Sequence, residues 1–295
     1  MRTSGRRAHS AREPLVRADT ATRLRPREPP RTSCPTASRG CRSTRASLAI
    51  STTQEIVAMS SESNNKILVA GASGVIGRRL CCLLVEDGWR VIGTTRSSEK
   101  ATGLRAIGVE PIVVDVFNEK ALHIVVTKAR PSIVVHQLTD LPAGLDPAKM
   151  AEGKVRNARI RDIGTRNLIA AAIACGVNRM VVQSIAFVYE PGPLPYREES
   201  PLNVASVASF EQQVLDAPFV GIVLRYGKLY GPGTGFDNPP SDGPVHVDAA
   251  ADAARLAVTR GKSGIYNVVE EDGTVSSQKA IRELCWNPSF RFSNG

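Results

Sequence analysis

From residue 66 onward the chain alternates short apolar runs with longer amphipathic ones. Ile67 to Ala70 is a continuous β-prone run. Val75 to Val85 then places Val75, Ile76, Leu80, Leu83 and Leu84 at helical spacing. "WRVIGTT" predicts a second strand ending near Thr95, and a polar helix follows over about 99–107. "PIVVDV" predicts a third strand, with Pro111 at its first position, where a missing N–H is tolerated. "EKALHIVVTKA" reads as helix and "PSIVVHQL" as a fourth strand. A long helix is expected over 151–176, closed by Gly176 before the fifth strand "NRMVVQSI". A helix over 205–216 and the strand "FVGIVLRY" complete a sixth unit. Continuous Val/Ile strands separated by helices predict a parallel sheet covered on both faces, the doubly wound α/β class.

The first sixty residues lack this pattern. They are rich in Arg, Pro, Ser and Thr, with almost no apolar periodicity, so burial cannot offset the entropy of ordering them. Disorder is the expectation for 1–62. Twelve of the chain's 38 basic residues and three of its 28 acids lie in the first fifty positions, leaving 26 and 25 for the rest. The formal charge of +10 is therefore a property of the tail. Three explanations stand: an extension upstream of a start at Met59, an organelle-targeting peptide, or a nucleic-acid-binding arm. Beyond residue 62 the expected division is a dinucleotide-binding domain over 63–230 and a reduced substrate lobe over 231–295, with a sheet-covering helix at 246–261.

The six cysteines form no CxxC pair and no metal-like cluster with histidine, which points to buried thiols in a reducing cytoplasm. No apolar run is long enough to span a membrane.

The candidate chemistry begins with "GASGVIG", residues 71–77, between the first predicted strand and helix. Gly71 permits the tight turn, Gly74 lets a pyrophosphate approach the helix N-terminus, and Gly77 lets helix and strand pack closely. The spacing is G-x-x-G-x-x-G. A site preferring NAD often carries an acid at the end of the second strand for the ribose 2′-hydroxyl. Residues 94–98 contain none; Arg96 stands there beside Thr95, Ser97 and Ser98. A guanidinium with hydroxyls suits a 2′-phosphate, so NADP is the expected cofactor, with NAD the alternative.

"GASGVIG", "VVDV", "VVHQL", "RNLIAAA", "VVQSIAFVY", "LRYGKLYGPG" and "VHVDAAADAARLAV" follow one another in an order that resembles the extended short-chain dehydrogenase/reductases, the NAD-dependent epimerase/dehydratase-like group. The resemblance covers about 64–290 and implies a Rossmann fold. It implies that Gly71, Ala72, Ser73, Gly74, Val75, Ile76 and Gly77 form the phosphate loop, and that Asp115 and Val116 lie beside the adenine. It implies that Gln137, Leu138 and Thr139 line the cofactor, and that Tyr226, Gly227 and Lys228 lie near the nicotinamide. A small-molecule substrate, a sugar nucleotide or carbonyl compound, and a homodimer are implied in the same way.

Catalysis in that family uses a Ser or Thr, a Tyr, and a Lys four residues after the Tyr, so that Tyr and Lys share a helix face. None of the five tyrosines here has Lys at that offset. The family positions fall on Val204 and Ala208, which cannot move a proton, and the Ser position falls on Ile185. The segment between Gly233 and His246 is only twelve residues, so the substrate lobe is expected to be small. Ser184, Tyr189, Lys228 and Asp248 are the remaining catalytic candidates, each set against an ordinary structural role. His136 and His246 read as structural histidines. Two functions from different classes result: an oxidoreductase or epimerase-like enzyme with a non-standard proton relay, and an NADP-binding sensor or scaffold without turnover.

Overall fold

A computed structural model describes residues 65–292. The Arg-rich tail, Cys34 and Cys41 lie outside the described residues.

Lys66–Ala70 (β1), Arg90–Thr95 (β2), Glu110–Val113 (β3), Ile133–His136 (β4), Arg179–Ile185 (β5), Val220–Tyr226 (β6) and Gly264–Val268, called β9 below, form one parallel seven-stranded sheet. Its order is β3-β2-β1-β4-β5-β6-β9. Lys228–Tyr230 (β7) and Pro244–His246 (β8) pair as a separate parallel ribbon. The chain leaves β1 towards β2 on one side and reaches β4 on the other, so the strand order reverses at β1/β4. That switch point opens a crevice at the carboxyl ends of the strands.

The apolar runs explain the layers. Along β1, Ile67 and Val69 enter one core and Leu68 and Ala70 the other, because successive side chains leave opposite faces of a strand. The first core is closed by Val75–Glu86 (α1), Ser98–Arg105 (α2), Val247–Ala257 (α7) and Gln278–Leu284 (α8). The second is closed by Glu119–Ala129 (α3), Thr165–Ala174 (α5) and Ala205–Leu215 (α6). Among the described residues no helix is long and apolar enough to cross a membrane.

The structure differs from the sequence reading in four places. The seventh strand, β9, comes from the stretch assigned to the substrate lobe, so the sheet does not end at 230. Asn267 interrupts its apolar pattern, and Gly264, at φ 151°, opens it. The helix expected over 151–176 begins earlier, as Pro147–Arg159 (α4) with Asp146 capping Ala148 N. It passes through a π-turn, Ile160–Gly164, before α5. Pro111 is the second residue of β3 rather than the first, and the missing N–H is tolerated because β3 is an edge strand. Of the thiols, Cys81 is buried, Cys82 and Cys175 are half-buried, and Cys285 is exposed at the end of α8. Burial pushes the Cys81 thiol up to about 12.

Candidate active site

The crevice at the switch point holds a cleft of about 240 Å³. Gly71, Ser73 and Gly74 form its β1 wall; Thr94, Thr95, Arg96 and Ser97 its β2 wall; Gln137, Leu138 and Thr139 its β4 wall. Val116, Phe117 and Leu122 line the end beyond β3.

The glycines divide by role. Gly71 sits at φ 87°, and a Cβ there would lie 2.6 Å from the carbonyl oxygen of Gln137. A Cβ on Gly77 would lie 2.2 Å from the Gly71 carbonyl oxygen. Both positions must be glycine for the turn to exist. At Gly74 an added Cβ would meet only the Gly71 oxygen, at 3.2 Å, and otherwise stand in open space. Gly74 is the backbone cap of α1, which has no side-chain cap and no acid in its first turn. By contrast, Ser97, Asn118 and Asp146 cap α2, α3 and α4 with their side chains. The free N–H groups and positive end of α1 are thus left facing the cleft, where a phosphate fits.

The remaining loop residues differ in burial. Ala72 is fully buried with its N–H on the Thr94 carbonyl, Ile76 and Gly77 lie in the core side of α1, and Val75 is partly exposed at the helix start. The Ser73 hydroxyl lies 3.1 Å from that of Thr95 and ties the loop to β2.

Arg96 stands on the rim, half-exposed, with Nη1 donating to Asp140 Oδ2 at 3.2 Å. Lys100, on the first turn of α2, lines the same rim. Asp115 turns its carboxylate to the backbone N–H of Phe117. Sequence reasoning missed Lys100, Phe117 and Ile160; the first was recoverable as the residue one helical turn after Arg96.

The β4 wall carries an unusual group. Gln137 is buried, its Nε2 lies 3.5 Å from the Tyr226 hydroxyl, and its Oε1 has no hydrogen-bond partner. A buried unpaired carbonyl oxygen costs on the order of 1–3 kcal/mol. The open Gly74 backbone, the uncapped α1 terminus and this free acceptor fit a bound nicotinamide dinucleotide. When bound, such a group supplies or accepts a hydride at its nicotinamide.

Two of the four catalytic candidates, Ser184 and Tyr189, join one hydrogen-bonded network. Ser184 Oγ donates to Glu211 Oε1 at 2.6 Å. Glu211 also receives both Nε and Nη2 of Arg225, at 2.9 and 2.6 Å. Arg225 Nη1 donates to the Tyr189 hydroxyl at 3.0 Å, and that hydroxyl donates to Asn267 Oδ1 at 2.5 Å. Five side chains from β5, the segment after it, α6, β6 and β9 are thus joined in one buried chain. Burial pushes the Tyr189 and Tyr226 phenols above their ordinary values, so neither is ionised near neutrality. Lys228 Nζ points to the β7–β8 loop, donating to the Ser241 carbonyl at 2.9 Å. Asp248 accepts from Arg79 Nε at 2.8 Å and fastens α7 to α1.

Both singled-out histidines are hydrogen-bonded. His136 Nδ1 accepts from Leu138 N and its Nε2 lies 3.0 Å from the Thr165 hydroxyl; burial lowers its pKa to about 4. His246 Nδ1 accepts from Asp248 N. Among the described residues no group of His, Cys, Asp and Glu could hold a metal.

The NAD dependent epimerase/dehydratase family model matches residues 67–244. The chain belongs to that family. It is 35% identical over 244 residues to the 3-diazoavenalumate denitrifying reductase of a Streptomyces species, covering 72% of this chain and 78% of the reductase. It is 29% identical over 175 residues to the ceramide reductase of Caulobacter vibrioides, covering 59% of this chain and 50% of that enzyme. Among solved structures it resembles the UDP-glucose 4-epimerase of Thermus thermophilus in complex with NAD. The TM-score is 0.62 at 22% identity, covering 77% of this chain and 95% of the epimerase. That likeness concerns the fold alone.

Proposed function

We propose that this chain is an NADP-dependent reductase whose hydride acceptor needs no proton from a protein tyrosine. The carrying observation is the closed buried chain Ser184–Glu211–Arg225–Tyr189–Asn267, which takes up the residues nearest to a proton relay. The resemblance puts Val204 and Ala208 at the family's Tyr and Lys positions, and no Tyr in the sequence has a Lys four residues on to help it protonate an alkoxide. Acceptors that generate no oxyanion escape that need. At a diazonium-bearing carbon, hydride displaces neutral dinitrogen: the new C–H bond forms, the C–N bond breaks, and no proton is consumed. The similarity to a denitrifying reductase supports such an acceptor. The NADP preference is supported by Arg96, Ser97 and Lys100 on the rim where a 2′-phosphate would lie.

The same locked chain also favours a second reading, a binder of NADP without turnover. The experiment mixes the full chain with NADPH and, separately, arenediazonium salts, quinones, aldehydes and UDP-glucose, each against a protein-free control. Loss of the reduced cofactor, release of dinitrogen and transfer of deuterium from 4-deuterated NADPH to the arene are expected. Tight NADPH binding with no oxidation across the panel would overturn the reductase reading in favour of the second.

A further inference from the structure

The continuous helix from Pro147 to Ala174 carries four arginines, and three are engaged. Arg156 lies against Asp140 and Glu152, Arg159 stacks over the Phe117 ring at 4.1 Å, and Arg166 pairs with Asp162. Arg161 has no hydrogen bond or ion pair among the described residues, although it is half-buried. It occupies the π-turn, a local widening of the helix that recurs at functional sites.

The π-turn that carries it packs against α6 beside the crevice. The preceding residue, Ile160, lines the cleft. The charge of Arg161 acts on His136, at the carboxyl end of β4, and on Glu211, on α6. Glu211 makes no hydrogen bond to it: its oxygens receive Arg225 and Ser184, and the Arg225 charge already balances its own. Val204, Ala208 and Glu211 recur at helical spacing on one face of the start of α6, so Arg161 stands beside the positions where the family would bring Tyr and Lys. Burial lowers its pKa and Glu211 raises it, yet a guanidinium keeps its proton throughout the ordinary range. One uncompensated positive charge therefore remains at this point of the fold.

The segments that follow β4 and β5 carry exposed apolar side chains. Phe187, two residues past β5, is 50% exposed; Phe236 is 44% and Leu141 is 38% exposed. The loops bearing Leu141 and Phe236 meet, since a Cβ on Gly235 would lie 3.1 Å from the Gly144 carbonyl oxygen. Exposed aromatic surface and a single unpaired cation on the same edge of the sheet suit a flat, apolar anion.

We infer that Arg161 anchors the carboxylate of an aryl or alkenyl carboxylate in the crevice beyond β4 and β5, and that this molecule is the hydride acceptor. The inference rests on the reductase reading for the acceptor's role but not for its binding. The guanidinium offers paired N–H donors to the two carboxylate oxygens, while Phe187 and Phe236 cover the rest.

Isothermal titration of the full chain with cinnamate and with methyl cinnamate, with and without NADPH, tests it. Cinnamate is expected to bind at least tenfold more tightly than its ester. Arg161→Gln should abolish that difference and Arg161→Lys retain part of it, with NADPH affinity and Tm unchanged in both. Equal binding of acid and ester, binding of neither, or a preference that survives Arg161→Gln would overturn the proposal. A fall in NADPH affinity or Tm would overturn it too, by assigning Arg161 to the cofactor or the fold. A carboxylate preference without any NADPH oxidation refutes the reductase reading alone. Oxidation without that preference refutes this proposal alone.

Discussion

Glu211 and Arg225 form a two-pronged ion pair in the interior, each side chain 3% exposed, with the closer contact at 2.6 Å. Ser184 and the Tyr189 hydroxyl satisfy the valences that the pair leaves open. Two charges taken out of water are tolerated only when their geometry and remaining hydrogen bonds are complete. Removing one partner strands the other. Glu211→Gln or Arg225→Met should each destabilise the fold by about 3–5 kcal/mol, read as a lower midpoint in urea. Glu211→Leu combined with Arg225→Met should recover most of that loss. A double variant no more stable than the singles would show that the pair contributes more than mutual neutralisation.

The glycine loop should separate a folding glycine from a binding one. Gly77→Ala drives a Cβ to 2.2 Å from the Gly71 carbonyl oxygen. It should cost roughly 1–3 kcal/mol or prevent folding, because backbone on backbone cannot yield cheaply. Gly74→Ala meets only one atom at 3.2 Å and has an ordinary φ of −75°. It should fold with nearly unchanged Tm and bind NADPH at least tenfold more weakly. Equal losses of stability in the two variants would refute the division.

Much of this architecture is legible along the chain, and the exceptions have physical causes. Six strands declare themselves because a sheet covered on both faces demands unbroken Val and Ile. β9 does not, because Tyr266 and Asn267 use their polar ends on Lys262, Glu283 and Tyr189. The glycine loop is legible because its geometry is local. The fate of Ser184 and Tyr189 is not, because it is decided by Glu211, Arg225 and Asn267, which reach them from α6, β6 and β9. The isolation of Arg161 is likewise invisible in the sequence, where acids abound nearby; only the fold shows Asp162 and Asp140 already engaged.

The rim arginine should set cofactor choice. Arg96→Ala removes a guanidinium from the end of β2 and frees Asp140, which still lies near Arg156 at 3.7 Å. NADP affinity should fall roughly ten- to hundredfold, the usual worth of a charged hydrogen bond, while NAD affinity changes little. Lys100→Ala should act in the same direction and more weakly, since Lys meets a phosphate as a point charge. Titration with both dinucleotides checks this, and an equal fall for NAD and NADP would remove Arg96 from the 2′-phosphate.

His136 gives the fold an acid limit. Its imidazole is buried between the Leu138 N–H and the Thr165 hydroxyl, and desolvation holds its pKa at about 4 against an ordinary 6.5, with Arg161 adding repulsion. The folded chain therefore refuses a proton that the unfolded chain accepts. Stability attached to the neutral ring is complete above pH 6.5 and is lost as pH falls from there towards 4. The loss should reach about 2 kcal/mol by pH 5 and roughly 3 kcal/mol by pH 4. Urea unfolding at pH 7.5 and pH 5 should show this slope in the natural chain. His136→Gln, which keeps a polar group but cannot titrate, should be less stable at pH 7.5 and should lose about 2 kcal/mol less on acidification. Parallel pH dependence in the two proteins would assign the acid limit to the carboxylates instead.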